Sequence, residues 1–465
     1  MRNFGKMDNK RELFEKTPVP KALATLAVPT IISQLITMIY NLADTFFIGL
    51  ANNASQTAAA SVSFTLVFLM GCLSNLFGVG GGSLISRLLG EKKDEDAASV
   101  SSFSFWGTFA IAAVYSLGCL AFMDPLLYAI GASDTSLPYV RDYALWVIVI
   151  GAIPSTLAMT MSHLLRSEGY AKQASIGLGL GGIMNVALDP IFMFVILSPG
   201  QETKGAAIAT MLSNMITLVY FIVVLYRIRS KSVLSISLKK VKLKKHYITS
   251  LFAVGLPAAL GSFLACLSNM VINNLATGYT AEYGDVPVAA IGIAKKIDML
   301  PMNVGMGLCQ GMMPLVAYNF ASGDHERMKA FSRCARIAGM SFAGFCIILF
   351  QLFAPQIVDL FGDSDTVAMG TDFLRILCLA VPLMIFNVQI SFTFQAMGMG
   401  KQSLILSSLR QGVVNIPLLF IMNSIFPLYG IVWTQIISDV ITAIISYVVY
   451  HKSCRKLFSS NKKEA

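Results

Sequence analysis

Residues 22–48 read ALATLAVPTIISQLITMIYNLADTFFI, 27 positions with Asp44 as the one charged side chain. A helix rises 1.5 Å per residue, so about 20 apolar residues cross the hydrocarbon layer of a membrane. This stretch is long enough, and it is not alone. Twelve such stretches are legible, at 22–48, 57–81, 97–123, 138–165, 173–197, 205–228, 248–276, 287–316, 329–353, 371–396, 403–422 and 430–450. They are too long, and too little alternating, for the roughly 10-residue strands of a membrane barrel. The predicted fold class is an all-α polytopic membrane protein of twelve transmembrane helices.

Composition agrees. Of the 465 residues 55% are hydrophobic and 13% are charged, against roughly 25% charged in soluble domains. The net charge of +10 does not imply nucleic acid, because the basic residues form no patch with aromatics and sit in short clusters between apolar spans. Eight cysteines lie mostly in or beside the spans without CxxC spacing, which argues against a disulfide framework and a zinc site. The first 21 residues are polar and basic, with no apolar core or cleavage site of a signal peptide. Targeting is expected to come from the first span.

Lys and Arg mark the cytoplasmic side of a membrane protein. Here they alternate loop by loop: Arg2, Lys6, Lys10, Arg11, Lys16 and Lys21 before span 1; Arg87, Lys92 and Lys93 after span 2; Arg166 and Lys172 after span 4; seven cations within 229–247, Lys242 among them, after span 6; Arg327, Lys329, Arg333 and Arg336 after span 8; Lys401 after span 10; Lys452, Arg455, Lys456, Lys462 and Lys463 at the C-terminus. The intervening loops are nearly bare, with Arg141 and Lys204 the main exceptions. Both termini are therefore expected on the cytoplasmic face of the inner (plasma) membrane, with an even number of spans.

The chain also repeats. Leu-Ala-Val-Pro29 corresponds to Val-Gly-Leu-Pro257, Arg166-Ser-Glu-Gly-Tyr-Ala-Lys-Gln173 to Gln395-Ala-Met-Gly-Met-Gly-Lys-Gln402, and Pro190 to Pro417, at offsets of 228, 229 and 227. Six duplicated helices return to the starting side, so the copies are parallel repeats about an axis along the membrane normal. The expected organisation is an N-lobe over 1–228, a basic cytoplasmic linker over 229–247 and a C-lobe over 248–465.

The enzymatic search is negative. No GxxxxGK[ST] is present, so ATP is not the energy source. Gly177-Leu-Gly-Leu-Gly-Gly182 matches GxGxxG but lies inside an apolar span with no strand before it; close helix packing by small residues is the better reading. The four histidines have no metal-ligand spacing. Of them only His163 falls within a span, where it is read as a satisfied helix-end histidine.

Carboxylates inside spans cost several kcal/mol and usually face a polar cavity. Asp44 lies near the outer end of span 1 and Asp189 lies in span 5. Tyr40 shares a face with Asp44, and Asn185 with Asp189, by their spacing of four. At 1.5 Å per residue Asp189 is about 24 Å along span 5, Asp44 about 6–9 Å from the outer end of span 1, and Thr210 about 8 Å into span 6. All fall in the outer half of the bilayer. Two nearby carboxylates raise one pKa and make a proton site; oxygen ligands without sulfur also suit a small hard cation. Asp298 in span 8 is a third candidate, and Lys295 three residues earlier is an equally good reading as its internal partner. Glu168 and Asp439 are expected near helix ends, without a functional role. Asn269, Asn273 and Asn274 in span 7, and Gln389 and Gln395 in span 10, either line a cavity or bond across helices. Met299, Met302, Met306, Met312 and Met313 suit a promiscuous apolar site or ordinary lipid-facing filler. Lys295 and Lys296 are read as the only central cations.

On these residues the sequence resembles the multidrug and toxic compound extrusion (MATE) family. The motifs are Pro29 with Asn41-Leu-Ala-Asp-Thr-Phe-Phe-Ile-Gly49, Gly82 through Gly90, Arg166-Ser-Glu-Gly169, Asn185-Val-Ala-Leu-Asp-Pro190 and Gly205-Ala-Ala-Ile-Ala-Thr210. The likeness covers 15–455 and looks closest to the prokaryotic DinF-like branch. It implies two six-helix lobes forming a V that rocks between inward and outward states, and export of hydrophobic, often cationic drugs in exchange for H⁺ or Na⁺. It also implies a cation site of Asp44, Asn185, Asp189 and Thr210, these being metal ligands only if the ion is Na⁺. Tyr40, Asn41, Asn269, Asn273, Gln389, Met299 and Met302 are the candidate substrate-cavity residues. NorM-like members carry acids in spans 7 and 10, where this chain has Asn269, Asn273 and Gln389; that weakens a C-lobe cation site. The expected protein is a monomeric antiporter without cofactor, enzymatic activity or nucleic-acid partner. The competing readings are a lipid-intermediate flippase, which needs a strongly basic cavity, and an uncoupled channel.

Overall fold

The structure, a computed structural model, describes residues 8–50, 53–241, 244–279, 281, 284, 286–361 and 364–460. Arg2, Lys6, Lys242, Lys462 and Lys463 of the loop-charge pattern lie outside them. Among the described residues there is no strand. A short helix α1 (Asp8–Glu15) precedes α2 (Val19–Leu50), α3 (Ala54–Gly90), α4 (Asp94–Ala121), α5 (Met123–Ala129), α6 (Leu137–Ala144), α7 (Ala152–Ser167), α8 (Ala171–Ile191) and α9 (Glu202–Ile228). The second half comprises α10 (Lys245–Thr277), α11 (Val286–Ala321), α12 (His325–Asp359), α13 (Ser364–Cys378), α14 (Val381–Ala396), α15 (Gly400–Ser408), α16 (Asn415–Ile425) and α17 (Tyr429–Ser460).

Nine of these helical segments, α15 and α16 counting as one, are long and apolar enough to cross a membrane among the described residues, and eleven if two bent pairs each count as one span. Helix α11 is the remaining span; it is 36 residues long and carries Lys295, Lys296 and Asp298. The bends fall at equivalent places. Leu137–Ile150 meets Ala152–Ser167 at 50°, and Thr366–Cys378 meets Val381–Ala396 at 44°. Gly151 and Ala380 at the two corners are 229 residues apart, the repeat offset. Gly169 after α7 and Gly398 after α14, also 229 apart, both take positive φ, +87° and +75°, the left-handed conformation that ends a helix cheaply only at glycine. The duplication is thus written into the backbone.

Several basic residues expected in loops sit on helices. Arg87 is in the last turn of α3, Arg166 in the last turn of α7, and Arg327, Lys329, Arg333 and Arg336 in the first turns of α12. The spans are longer than their apolar cores because the helices continue into the interface, where long cationic side chains reach water.

The core divides into three main parts. One apolar cluster joins both lobes through Leu26, Ala27, Phe77, Leu84, Leu251, Leu308, Met312 and Phe394, all at the end of the bundle that carries the termini. At the other end the lobes have separate cores: Leu66, Leu127, Val140 and Ile148 in the N-lobe, and Ile272, Ile291, Phe350 and Phe373 in the C-lobe. The lobes therefore form a V closed at the terminal end. Its closure uses matched pairs of helices. A Cβ on Gly255 of α10 would collide with the Leu76 carbonyl of α3, and one on Gly307 of α11 would come within 2.6 Å of Ile31 Cα on α2. Cross-lobe hydrogen bonds reinforce it: Arg166 Nη1 to Gln310 Oε1 at 2.8 Å, Ser83 Oγ to the Gln395 carbonyl at 2.6 Å and Asn75 Nδ2 to Ser262 Oγ at 3.1 Å.

Residues 229–241 lie against the N-lobe. Glu168 accepts from the Ser232 hydroxyl and from the Val233 amide at 3.0 Å, and Trp106 Nε1 donates to the Ile236 carbonyl at 2.9 Å. Glu168 is a helix-end carboxylate holding a connection.

Candidate functional site

Helices α2 and α8 approach closely because α8 presents glycine. A Cβ on Gly182 would lie 2.9 Å from Ile36 and 3.0 Å from the Tyr40 ring, and one on Gly177 would strike the Phe221 ring of α9. The GxGxxG-like run is thus the packing surface of α8, as small residues in membrane helices usually are.

That packing brings the N-lobe polar groups together. Asn185 Nδ2 donates to Asp189 Oδ1 at 3.3 Å and to Thr210 Oγ1 on α9 at 3.1 Å. Asp189 is fully buried (0% exposed). Asp44 on α2 is close enough to Asp189 to interact with it electrostatically. Asp44 Oδ1, Asn185 Oδ1 and Asp189 Oδ2 are buried oxygens with no hydrogen-bond partner among the described residues. An unpartnered buried oxygen is costly, so two carboxylate oxygens and one amide oxygen in one cluster form an acceptor set for a positively charged guest. Asp189 lies 18 residues into α8, about 27 Å along it, and Asp44 six residues from the end of α2, about 9 Å. Both positions are at the open end of the V.

Tyr143 on α6 was not among the sequence candidates. It is buried and lies within electrostatic reach of Asp44, Asp189 and Tyr40. No sequence signal marks it, because the bent fourth span hides which of its faces packs against α3 and α9.

In the C-lobe, Asn269, Asn273, Met299 and Met302 are exposed on α10 and α11, the helices whose opposite halves close the V. Asn41 is likewise exposed on α2. Gln389 is not at the cleft. It is buried (1% exposed) and donates through Nε2 to Ser332 Oγ at 2.8 Å and Thr393 Oγ1 at 3.1 Å. It is thereby a bond across packed helices, and Gln395, donating to Ser403 Oγ at 3.0 Å, is another.

Three readings of C-lobe charge change. Lys295 Nζ bonds Asn269 Oδ1 at 2.8 Å; no ion pair joins it to Asp298 among the described residues. Asp439 is not near a helix end. It sits ten residues into α17, fully buried, and receives Arg410 Nε at 2.7 Å, Gln435 Nε2 at 2.7 Å and Asn387 Nδ2 at 3.2 Å. Arg410, 10% exposed in its side chain, is thus a further cation inside a span, beyond Lys295 and Lys296. The pair is satisfied internally and offers no anion site. Asp298 Oδ1 beside it is buried without a partner among the described residues.

A two-lobed bundle of parallel repeats, with an orphaned carboxylate cluster at the open end, defines a polytopic membrane transporter. The MatE family profile matches the chain twice, over 29–191 and 257–421, one match per lobe. The chain is 31% identical over 445 residues to the multidrug export protein MepA of Staphylococcus aureus and to that of Staphylococcus saprophyticus, covering 96% of this chain and of each relative. It superposes on a structure of the outward-facing conformation of a multidrug resistance MATE family transporter with TM-score 0.89 and 25% identity, over 97% of this chain and 98% of that one. A MATE crystal structure in complex with MaL6 gives TM-score 0.90 at 24% identity, over 98% and 100%. The chain belongs to the MatE family of transporters and is not an enzyme.

Proposed function

We propose that this protein is a secondary active multidrug efflux antiporter, exporting hydrophobic and cationic organic compounds in exchange for H⁺ or Na⁺ by alternating access. The observation that carries this reading is the meeting of three unpartnered buried oxygens, on Asp44, Asn185 and Asp189, beside Thr210. A proton or a small hard cation relieves the cost of those oxygens. Occupancy that differs in energy between the two lobe arrangements biases one over the other, which is the requirement for coupling. With the termini cytoplasmic, as the loop charges predict, the V opens outward and the ion enters from outside. The exposed asparagines and methionines of α2, α10 and α11 provide the substrate wall. Export is supported by the relatives named multidrug export proteins, and the chain works as a monomer.

The test is efflux of a fluorescent organic cation from proteoliposomes under an imposed proton or sodium gradient. Wild type moves the dye only with a gradient. Asp44→Asn and Asp189→Asn each lose gradient-driven movement. Wild-type rates in both variants sink the assignment of the site, and ion current without dye movement favours the channel reading.

A further inference from the structure

On the terminal side of the bundle a cavity of about 530 Å³ lies between α12 and α17, lined by Lys329, Arg333, Arg336, Tyr450, His451, Cys454 and Arg455. None of its lining residues is acidic. Lys329, Arg333 and Arg336 follow the spacing of one face of α12, and His451 and Arg455 that of one face of α17. The arginine at its base is built in. Arg336 Nε donates to Gln389 Oε1 at 3.2 Å, Gln389 being itself tied to Ser332 and Thr393, and its guanidinium lies over the Phe386 and Tyr450 rings at 5.5 Å from each. His451 is held by stacking on Tyr447 at 6.1 Å, with 9° between the rings. A planar guanidinium fixed in this way matches phosphate oxygens.

The same two helix faces change character toward the bundle centre. On α12 the basic face continues into exposed Ile337 and Met340; on α17 it continues into exposed Val448, Tyr447 and Ile444. A cationic pocket at the interface that is continued by exposed apolar helix faces has the profile of one ligand class, an anionic head with hydrocarbon tails. Lys329 is paired with Glu326 at 2.7 Å, which leaves the arginines for the ligand; a soluble phosphate uses only the upper half of the site, and a zwitterionic lipid brings no net charge to them.

We propose that the α12–α17 crevice is a binding site for an anionic phospholipid, with its phosphate at Arg333, Arg336 and Arg455 and its acyl chains along Ile337, Met340, Ile444 and Val448. Charged juxtamembrane residues contribute about 1 kcal/mol each toward anionic lipid.

The test uses the purified full chain in neutral detergent, titrated with phosphatidylglycerol, phosphatidylcholine or inorganic phosphate and followed by thermal unfolding and native mass spectrometry. Phosphatidylglycerol raises Tm and is retained as a discrete adduct; the other two do neither. Arg333→Gln with Arg455→Gln weakens that binding roughly thirtyfold, two charges or about 2 kcal/mol. An equal Tm shift from phosphate alone overturns the lipid in favour of a soluble anion, and an equal shift from phosphatidylcholine overturns the role of charge. Full retention of the lipid by the double variant removes it from this crevice. Should that variant fail to fold, wild type is crosslinked to photoreactive phosphatidylglycerol: adducts on α12 and α17 support the site, and adducts confined to other helices overturn it.

Discussion

Phe14 stacks on Tyr318 with ring centroids 4.8 Å apart, and through this contact the short N-terminal helix grips both lobes. On its other side Arg11 pairs with Asp94 at 3.2 Å, while Glu15 accepts from the Tyr318 hydroxyl at 2.6 Å and Arg327 Nε donates to the Phe14 carbonyl at 2.7 Å. Asp94 begins α4 in the N-lobe; Tyr318 and Arg327 belong to the C-lobe. Helix α1 is therefore a clasp across the closed end of the V. Removing its aromatic anchor by Phe14→Ala forfeits about 0.5–1.5 kcal/mol beyond the buried area. The population opened at the terminal end should rise roughly threefold to tenfold. Spin-label distances between α3 and α11 at that end report the change, and an unaltered distance distribution refutes the clasp.

A second expectation concerns Gly255. A side chain there meets the Leu76 carbonyl, a backbone atom that cannot swing aside. Gly255→Val should hold the lobes apart at the terminal end and cut gradient-driven efflux by about fivefold to a hundredfold, since overpacked interfaces cost roughly 1–3 kcal/mol. Gly292→Ala on α11, where nothing lies within 4 Å of the new Cβ, is the control that should transport normally. Equal activity in the two variants argues that α3 and α10 need not touch during the cycle.

The buried pair Arg410–Asp439 yields a stability prediction with an internal check. Asp439→Asn leaves a guanidinium in the C-lobe without its countercharge, and breaking a buried pair from one side costs about 3–5 kcal/mol. Arg410→Met combined with Asp439→Leu removes both charges and should recover most of that loss. Thermal unfolding in detergent distinguishes the two, and a double variant less stable than the single one contradicts the account.

That pair also marks the limit of what the residue string discloses. Membrane class, the twelve spans and the two-lobe repeat are readable because each depends on long runs of like residues or on fixed offsets. Asp44, Asn185, Asp189 and Thr210 are readable as one depth because a helix converts sequence distance into length. Which faces meet is a different question. Lys295 reaches Asn269 rather than Asp298, and Tyr143 joins the acidic cluster, through helix rotations that hydropathy does not encode. Asp439 departs from its expected place near a helix end because its three partners come from α14, from Arg410 in the π-helical turn between α15 and α16, and from its own helix, so nothing local to Ile436-Ile-Ser-Asp439 announces burial. Gln389 fails as a cavity residue for the same reason. Its polarity is visible in sequence, but the Ser332 and Thr393 hydroxyls that absorb it are not.

Thr210 separates the two candidate coupling ions. A proton needs only the carboxylate oxygens of the Asp189 and Asp44 pair, whereas Na⁺ needs several oxygen ligands and draws on neutral ones as well. Asn185 Nδ2 donates to Thr210 Oγ1 at 3.1 Å, which seats that hydroxyl on the cluster, and Asn185 Oδ1 is buried without a hydrogen-bond partner among the described residues. Thr210→Val keeps the shape and removes one oxygen. Proton-driven efflux should persist in this variant within about twofold, while a sodium-driven rate should require at least about tenfold more Na⁺ for half-saturation, one ligand's share of binding being about 1.4 kcal/mol or more. Asp189→Asn removes a charge needed by either ion and should abolish both. Proton-driven efflux at the wild-type rate in both Asp44→Asn and Asp189→Asn would place the coupling outside this cluster.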